Sequence, residues 1–326
     1  MLIKLIFLFL AGFLLSKTTI YLLRRISLKF DWNRSNGIPL AGGPGIWFAF
    51  IITVIPALIY AGIFSEEMAG VILASGLMFI FGYIDDRKEL SVGVKFLVQI
   101  IATGLLVSYG IKTRIAFIPE TFNIIITFIW VVGITNAFNH LDVLDGVGGM
   151  IALVVSSAFC IIVSLQQNTG LLIIFFGLSA VICGFLTENL PPAKVYLGNS
   201  GSHFLGFILA ALALVISYAT LETKTALFTP LLIMGFPIFD TAFLILIRLK
   251  QKRSVFKKSN DHLALRFLKI GHSKRKTLIT MTLLAVFFAV CGIAVYRSTP
   301  LYGLATIIFA ILVTAVLIRK ASRVEI

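Results

Sequence analysis

The chain has 326 residues, 59% of them hydrophobic and 13% charged, with a mean hydropathy of +1.03. That composition excludes a soluble globular protein. The net charge of +14 would suggest nucleic acid in a soluble chain; in a membrane protein, topology accounts for it, and no nucleic-acid partner is expected.

Apolar stretches reaching the roughly 18 residues that a bilayer requires recur along the chain. Eleven spans are predicted, at 3–22, 40–62, 66–84, 95–110, 121–139, 147–165, 170–186, 201–219, 227–247, 277–296 and 300–318. The fourth and seventh are short, so ten is the lower count. The first has no small-residue cleavage site behind it and carries Lys17, as a retained helix does. No inverted repeat and no Pro/Ser-rich linker divides the sequence, so residues 1–326 read as one all-α, polytopic domain. Cys160, Cys183 and Cys291 fall inside apolar spans with no CxxC pair and read as packing residues.

With the N-terminus outside, the inner segments are 23–39, 85–95, 140–146, 187–200, 248–276 and the C-terminal tail. They hold 22 of the 28 Lys and Arg residues, and the outer segments hold five. The positive-inside rule selects that orientation. It also gathers the polar clusters on one face, which points to a cytoplasm-facing site.

In chain order, the first cluster is Asp85-Asp86, at the inner end of the third span. Adjacent carboxylates at a membrane boundary repel each other and are costly to desolvate; a divalent cation or a proton from a substrate would relieve them, and a solvated helix end is the plain alternative. Next, Asn136, Asn139, Asp142 and Asp145 recur at every third position, so that consecutive pairs on a helix could share a ligand. Gly198-Asn-Ser-Gly-Ser202 opens the eighth span; a helix N-terminus with small residues suits a phosphate, though capping by Ser200 or Ser202 explains it equally. Asp240 is an ionisable group within an apolar span, a functional position by default. The loop 248–276 carries eleven basic residues, suited to lipid headgroups, with Lys257, Lys258 and Arg266 flanking Asp261-His262.

Together these segments resemble the polyprenyl-phosphate N-acetylhexosamine-1-phosphate transferases, bacterial membrane enzymes that start lipid-linked glycan synthesis. The resemblance runs through Ile38-Pro-Leu-Ala-Gly-Gly43, Gly82-Tyr-Ile-Asp-Asp86 with Lys95 and Gln99, Asn136 to Gly146, Pro192 to Ser202, and Pro237 to Thr241. Three positions depart from the family pattern. Val143 stands in place of a Gly, Asn199 in place of a metal-binding Asp, and Asp261-His262 in place of a His run. The last departure fits transfer of a simple amino sugar phosphate better than of a peptidoglycan pentapeptide precursor.

The resemblance implies transfer of a sugar 1-phosphate, GlcNAc-1-phosphate or a related N-acetylhexosamine, from a UDP-sugar to undecaprenyl phosphate or a similar polyprenyl phosphate. UMP would be released at the cytoplasmic face of the bacterial inner membrane, for cell-wall, lipopolysaccharide or other polysaccharide synthesis. It implies Mg²⁺, with Mn²⁺ as a substitute. The catalytic set would be Asp85, Asp86, Asp142, Asp145 and His262. Substrate would meet Asn136, Asn139, Lys95, Lys194, Ser200 and Arg266, and the metal would meet Asn199, Asp85, Asp145 and Asp240. An inactive relative would bind these partners without turnover. A transporter would instead need broken helices in paired halves and polar residues on both faces. Whether the protein works as a monomer or a homodimer is left open.

Overall fold

The computed structural model describes residues 2–218, 223–254 and 261–322. Lys257 and Lys258 lie outside the described residues. A bilayer core offers backbone amides no water, so each apolar stretch satisfies its hydrogen bonds within itself, as a helix. In order these are α1 (Leu2–Phe30), α2 (Gly42–Tyr60), α3 (Glu66–Arg87), α4 (Val92–Ser108), α5 (Glu120–Leu141), α6 (Val147–Leu165), α7 (Thr169–Asn189) and α8 (Gly198–Val215). After a 3₁₀ turn (Lys224–Phe228) come α9 (Thr229–Ile233), α10 (Gly235–Lys250), α11 (Leu263–Lys269), α12 (Lys274–Arg297) and α13 (Pro300–Ala321).

Among the described residues, nine helices are long and apolar enough to cross a membrane, ten if one bent pair counts as a span. The fold is therefore all-α and polytopic, as expected. The short fourth span is the 17-residue α4, whereas the seventh, expected to be short, runs for 21 residues. The ninth differs more. It is broken between Lys224–Ile233 and Gly235–Lys250 with a 68° bend. Pro230 and Pro237 flank the break; neither supplies an N–H to the helix ladder, so each sits in a first turn where none is needed. This is the one broken span among the described residues, where a transporter of the inverted-repeat kind would show a pair.

α7 and α8 are the innermost helices. α1 packs along α7, α3 and α5 pack on α8, and α12 packs on α6. α1 and α13 are peripheral and present exposed apolar side chains such as Phe7 and Ile311 where lipid would lie. Ser65, Ser91, Asn168 and Ser273 cap α3, α4, α7 and α12, each accepting from the N–H three residues on at 3.0–3.4 Å. Each such cap is worth about 1 kcal/mol.

A small hairpin precedes α2. Strands β1 (Arg34–Ser35) and β2 (Ile38–Pro39) pair antiparallel across Asn36-Gly37, both at positive φ (49° and 79°), as a type I′ turn requires. It delivers residues 39–43 to the stretch that leads into α8. Tyr196 N–H donates to the Pro39 carbonyl at 2.9 Å, and the Gly42 and Gly43 amides donate to the Tyr196 and Leu197 carbonyls at 3.0 and 2.9 Å. The start of α8 is thereby fixed from one side before any functional side chain is considered.

Candidate active site

Asp85 and Asp86 close α3 but face different partners. Asp85 is 4% exposed. It accepts from the Leu90 amide at 2.8 Å, and its other oxygen receives the Lys95 ammonium. Asp86 turns towards α8 and accepts from the Asn199 amide (2.6 Å), the Ser200 amide (3.1 Å) and the Ser200 hydroxyl (2.7 Å). The repulsion between the two carboxylates is thus relieved separately, by a lysine and by a helix N-terminus with its positive dipole end. Among the described residues they share no hydrogen-bonding partner.

Two glycines make this approach possible. A Cβ on Gly82 would stand 2.4 Å from the Asn199 carbonyl oxygen, so only glycine lets α3 and α8 come this close. Gly198 sits at φ +73°, and a Cβ there would meet Asp86 Oδ2 at 2.8 Å.

The anion expected at the α8 N-terminus is therefore a side chain of this protein. Ser200, expected among the substrate contacts, is fully buried and donates its hydroxyl to Asp86. Asn199 is also engaged: its Oδ1 accepts from Asn139 Nδ2 at 2.9 Å, and the same Nδ2 reaches Ser202 Oγ at 3.0 Å.

The three-residue repeat does not converge as expected. Asn136 forms a reciprocal amide pair with Gln99, at 2.7 and 3.2 Å, joining α4 to α5. In this arrangement its amide is spent on packing α4 against α5. Helix α5 ends at Leu141, so Asp142 is its cap (φ −82°, ψ 50°) and Asp145 lies beyond it in the turn. Spacing by three keeps residues on one face only while the helix lasts. Asp145 Oδ2 accepts from the Ala193 amide at 3.3 Å and pairs with Lys274 at 3.1 Å. Asn189, which no sequence signal singled out, accepts from the Gly146 amide at 3.0 Å and donates to the Val195 carbonyl at 2.8 Å.

Of Asp85, Asp86, Asp142 and Asp145, Asp142 is the carboxylate least committed to side chains. It accepts from the Gly198 amide, and burial together with neighbouring Asp86 and Asp145 pushes its carboxyl up to about 7. A carboxyl held near neutrality by two others gains from a cation. Among the described residues, however, no three His, Cys, Asp or Glu side chains converge as metal ligands. Asp85 is committed to Lys95, and Asn199 to Asn139. Carboxylate oxygens are the kind of donor that a hard divalent ion prefers.

A second polar group lies at the inner end of α10. Asp240, 2% exposed, accepts from the Leu263 amide and leaves Oδ1 without a protein partner. It ties α10 to the start of α11. His262 precedes α11, with its ring centroid 6.3 Å from that of His140. Burial, then His140 and Arg248, bring its imidazole down to about 4, against a smaller upward pull from Asp261. It is a neutral hydrogen-bonding group near pH 7, not a ready proton donor. Arg266 is 3% exposed; it donates to the Asp261 and Ala321 carbonyls and lies over the Phe243 ring at 5.3 Å. It organises this turn. Lys194 is exposed beside Asp145's loop.

The sequence model described as glycosyl transferase family 4 matches residues 68–217, the stretch from α3 to α8 that carries this site. A probable undecaprenyl-phosphate N-acetylglucosaminyl 1-phosphate transferase of Bacillus subtilis is 30% identical over 289 residues, covering 85% of this chain and 78% of its own length. A decaprenyl-phosphate N-acetylglucosaminephosphotransferase of Mycolicibacterium smegmatis is 31% identical over 278 residues, with 75% and 68% covered. An undecaprenyl-phosphate alpha-N-acetylglucosaminyl 1-phosphate transferase of Thermotoga maritima is 30% identical over 267 residues, with 81% and 80% covered.

Proposed function

The chain belongs to the polyprenyl-phosphate N-acetylhexosamine-1-phosphate transferases of glycosyl transferase family 4, and from that membership we propose that it transfers a sugar 1-phosphate from a UDP-sugar to a polyprenyl phosphate. The sugar is GlcNAc or a related N-acetylhexosamine, the acceptor undecaprenyl phosphate or a similar lipid, and the site faces the cytoplasm. An oxygen of the lipid phosphate bonds to the sugar-bearing phosphorus. The bond from that phosphorus to the bridging oxygen breaks, and UMP leaves with the electron pair.

The observation that carries this reading is Asp142 set between Asp86 and Asp145, beside the Asn139–Asn199 bridge, where three helix ends meet. Two polyanions must be brought together there, so alignment and charge neutralisation supply most of the catalysis. Asp142, with Asp86 or Asp145, would hold Mg²⁺, which neutralises phosphate charge when bound. Lys274 and the exposed Lys194 line the rim and attract phosphate. Asp86 fixes the start of α8, while Asp85 holds Lys95 in place. His262 offers the substrate a neutral imidazole. A lipid phosphate has its second pKa near 6, so it arrives largely deprotonated and needs little base catalysis.

Purified protein given radiolabelled UDP-GlcNAc, undecaprenyl phosphate and Mg²⁺ should form labelled lipid and release UMP in equal amounts. Nucleotide-sugar binding without UMP release, across a panel of UDP-amino sugars, would replace the transferase with an inactive binding relative.

A further inference from the structure

With α13, α1 is the least covered of the long helices. Its 29 residues extend about 43 Å, more than the roughly 30 Å of a hydrocarbon core. Lys4 and Arg24 stand about 30 Å apart along it and mark the two rims. Lys17 lies between them, about 10 Å short of Arg24, and its side chain is exposed at the depth of the acyl chains. An ammonium at that depth is costly and ordinarily faces the bundle or an acidic partner. α1 contains no Asp or Glu, and among the described residues no ion pair reaches Lys17. Snorkelling to the nearer rim is hindered, because the Cα–Cβ bond tilts towards the Lys4 end of the helix.

Arg25 adds to this charge and does not relieve it. Its neighbour Arg24 turns into the bundle and meets Glu188 of α7 at 3.5 Å. Arg25 turns outwards, and its guanidinium folds back over the Tyr21 ring at 4.6 Å, on the side of Lys17 and the membrane interior. Tyr21 stands one helical turn from each cation. Two like charges thus lean together across one ring with no acid of the protein beside them. In a low-dielectric layer that arrangement calls for an anion.

We propose that this face of α1 binds an anionic phospholipid, its phosphodiester held between the Lys17 ammonium and the Arg25 guanidinium. The leaflet is the one that meets Arg24, cytoplasmic on the expected orientation. The guanidinium fork matches phosphate geometry and the ammonium supplies a point charge. Exposed Leu14 and Leu22, at 56% and 52%, flank the cations with apolar surface for the acyl chains. The headgroup sits deeper than its neighbours, a local thinning of the leaflet beside α1.

The test needs no turnover. The purified full-length chain is placed in nanodiscs of dioleoylphosphatidylcholine, with and without a minor fraction of dioleoylphosphatidylglycerol. Wild type should gain about 3 °C or more in thermal midpoint from the anionic lipid. Native mass spectrometry should show it retained over phosphatidylcholine by about tenfold or more, the scale of two cations near a lipid phosphate. Lys17→Leu and Arg25→Gln should each lose at least about threefold of that preference, and Lys17→Arg should keep it. Lys4→Gln, which removes a cation at the opposite rim, should keep both the preference and the thermal gain. In phosphatidylcholine alone Lys17→Leu should be at least as stable as wild type, because an unpaired charge has left the span. An equal thermal gain in Lys17→Leu and wild type would overturn the proposal, as would an equal loss of preference in Lys4→Gln. Lys17→Leu destabilised in phosphatidylcholine alone would show that Lys17 serves the fold, and a lipid-independent change in its oligomeric state would assign the face to a second copy of the chain; either result would also overturn it.

Discussion

The two ends of the same helices use polar side chains differently. At the end that carries the carboxylates, the inner one on the orientation expected from the charge split, Asp86 reaches from α3 to α8, Asn139 from α5 to α8, and Gln99 from α4 to α5. At the outer end, Asn123 and Thr127 of α5 serve only their own loop, taking the Ile115 and Thr113 amides at 2.9 and 2.8 Å. The charged groups there, Lys112 with Glu120 and Arg114 with Glu67, form largely exposed pairs. At the outer end most of these bonds close loops, with Gln166 reaching Ser217 and Tyr296 as the exception; at the inner end several carboxylate and amide side chains fix separate segments against one another. Electrostatic catalysis needs the second arrangement, because groups already held in place cost no reorganisation when charge develops.

The comparison breaks outright if the two ends do not face opposite compartments. Single cysteines replacing Arg87 and Glu66 bracket α3. The 22-to-five charge split leads us to expect labelling of the first only from the cytoplasm and of the second only from outside, an all-or-none difference. External labelling at position 87 would reverse the orientation and take the cytoplasmic site with it.

Within the inner end, Asp142 and Asp86 should fail in different ways. Asp142→Asn removes the charge with fewest commitments and should slow turnover about a hundredfold or more with little change in thermal midpoint. Asp86→Ala strands two amides and a hydroxyl at the start of α8, so stability and activity should fall together. Melting curves and UMP release on the two purified variants decide. Near-wild-type turnover in Asp142→Asn would make that group structural.

The segments that meet at the carboxylates were legible in the sequence; which side chains touch was not. Asp86 and Asn199 are 113 positions apart, and their contact exists only because Gly82 lets α3 and α8 approach. Propensity and motif spacing say nothing about that distance. Asn136 misled because spacing by three suggests a shared ligand, yet the helix stops at Leu141 and releases Asp142 and Asp145 from its face. Asn189 carried no signal, since a lone Asn at an apolar helix end reads as an ordinary cap. The spans were readable from apolar length, and the break at Met234 between Pro230 and Pro237 was hidden because its flanks remain apolar throughout.

Burial at the inner end should also show in the pH dependence of stability. His262 has its imidazole brought down to about 4 in the folded protein, against about 6.5 in an unfolded chain. Between those values the unfolded state binds more protons, so the contribution of this group is complete above about pH 6.5 and is lost as pH falls towards 4. The thermal midpoint of wild type should therefore drop on acidification through that window, and His262→Gln should drop less. Parallel curves for the two proteins would place the acid sensitivity elsewhere, with His140 the next residue to replace.

The smallest effect belongs to the outer end. Arg114 and Glu67 stand 3.5 Å apart with side chains 68% and 45% exposed, so water screens them and holding two long side chains together offsets the gain. Arg114→Ala should change stability by no more than about 0.5 kcal/mol. UMP release should be unchanged, since nothing carries the loss across the bundle to Asp142. Denaturation of the variant at low and at moderate salt provides the measurement. A loss well above that figure, or a fall in turnover, would mean that the outer loops are coupled to the carboxylates, and the two ends would have to be treated as one mechanical unit.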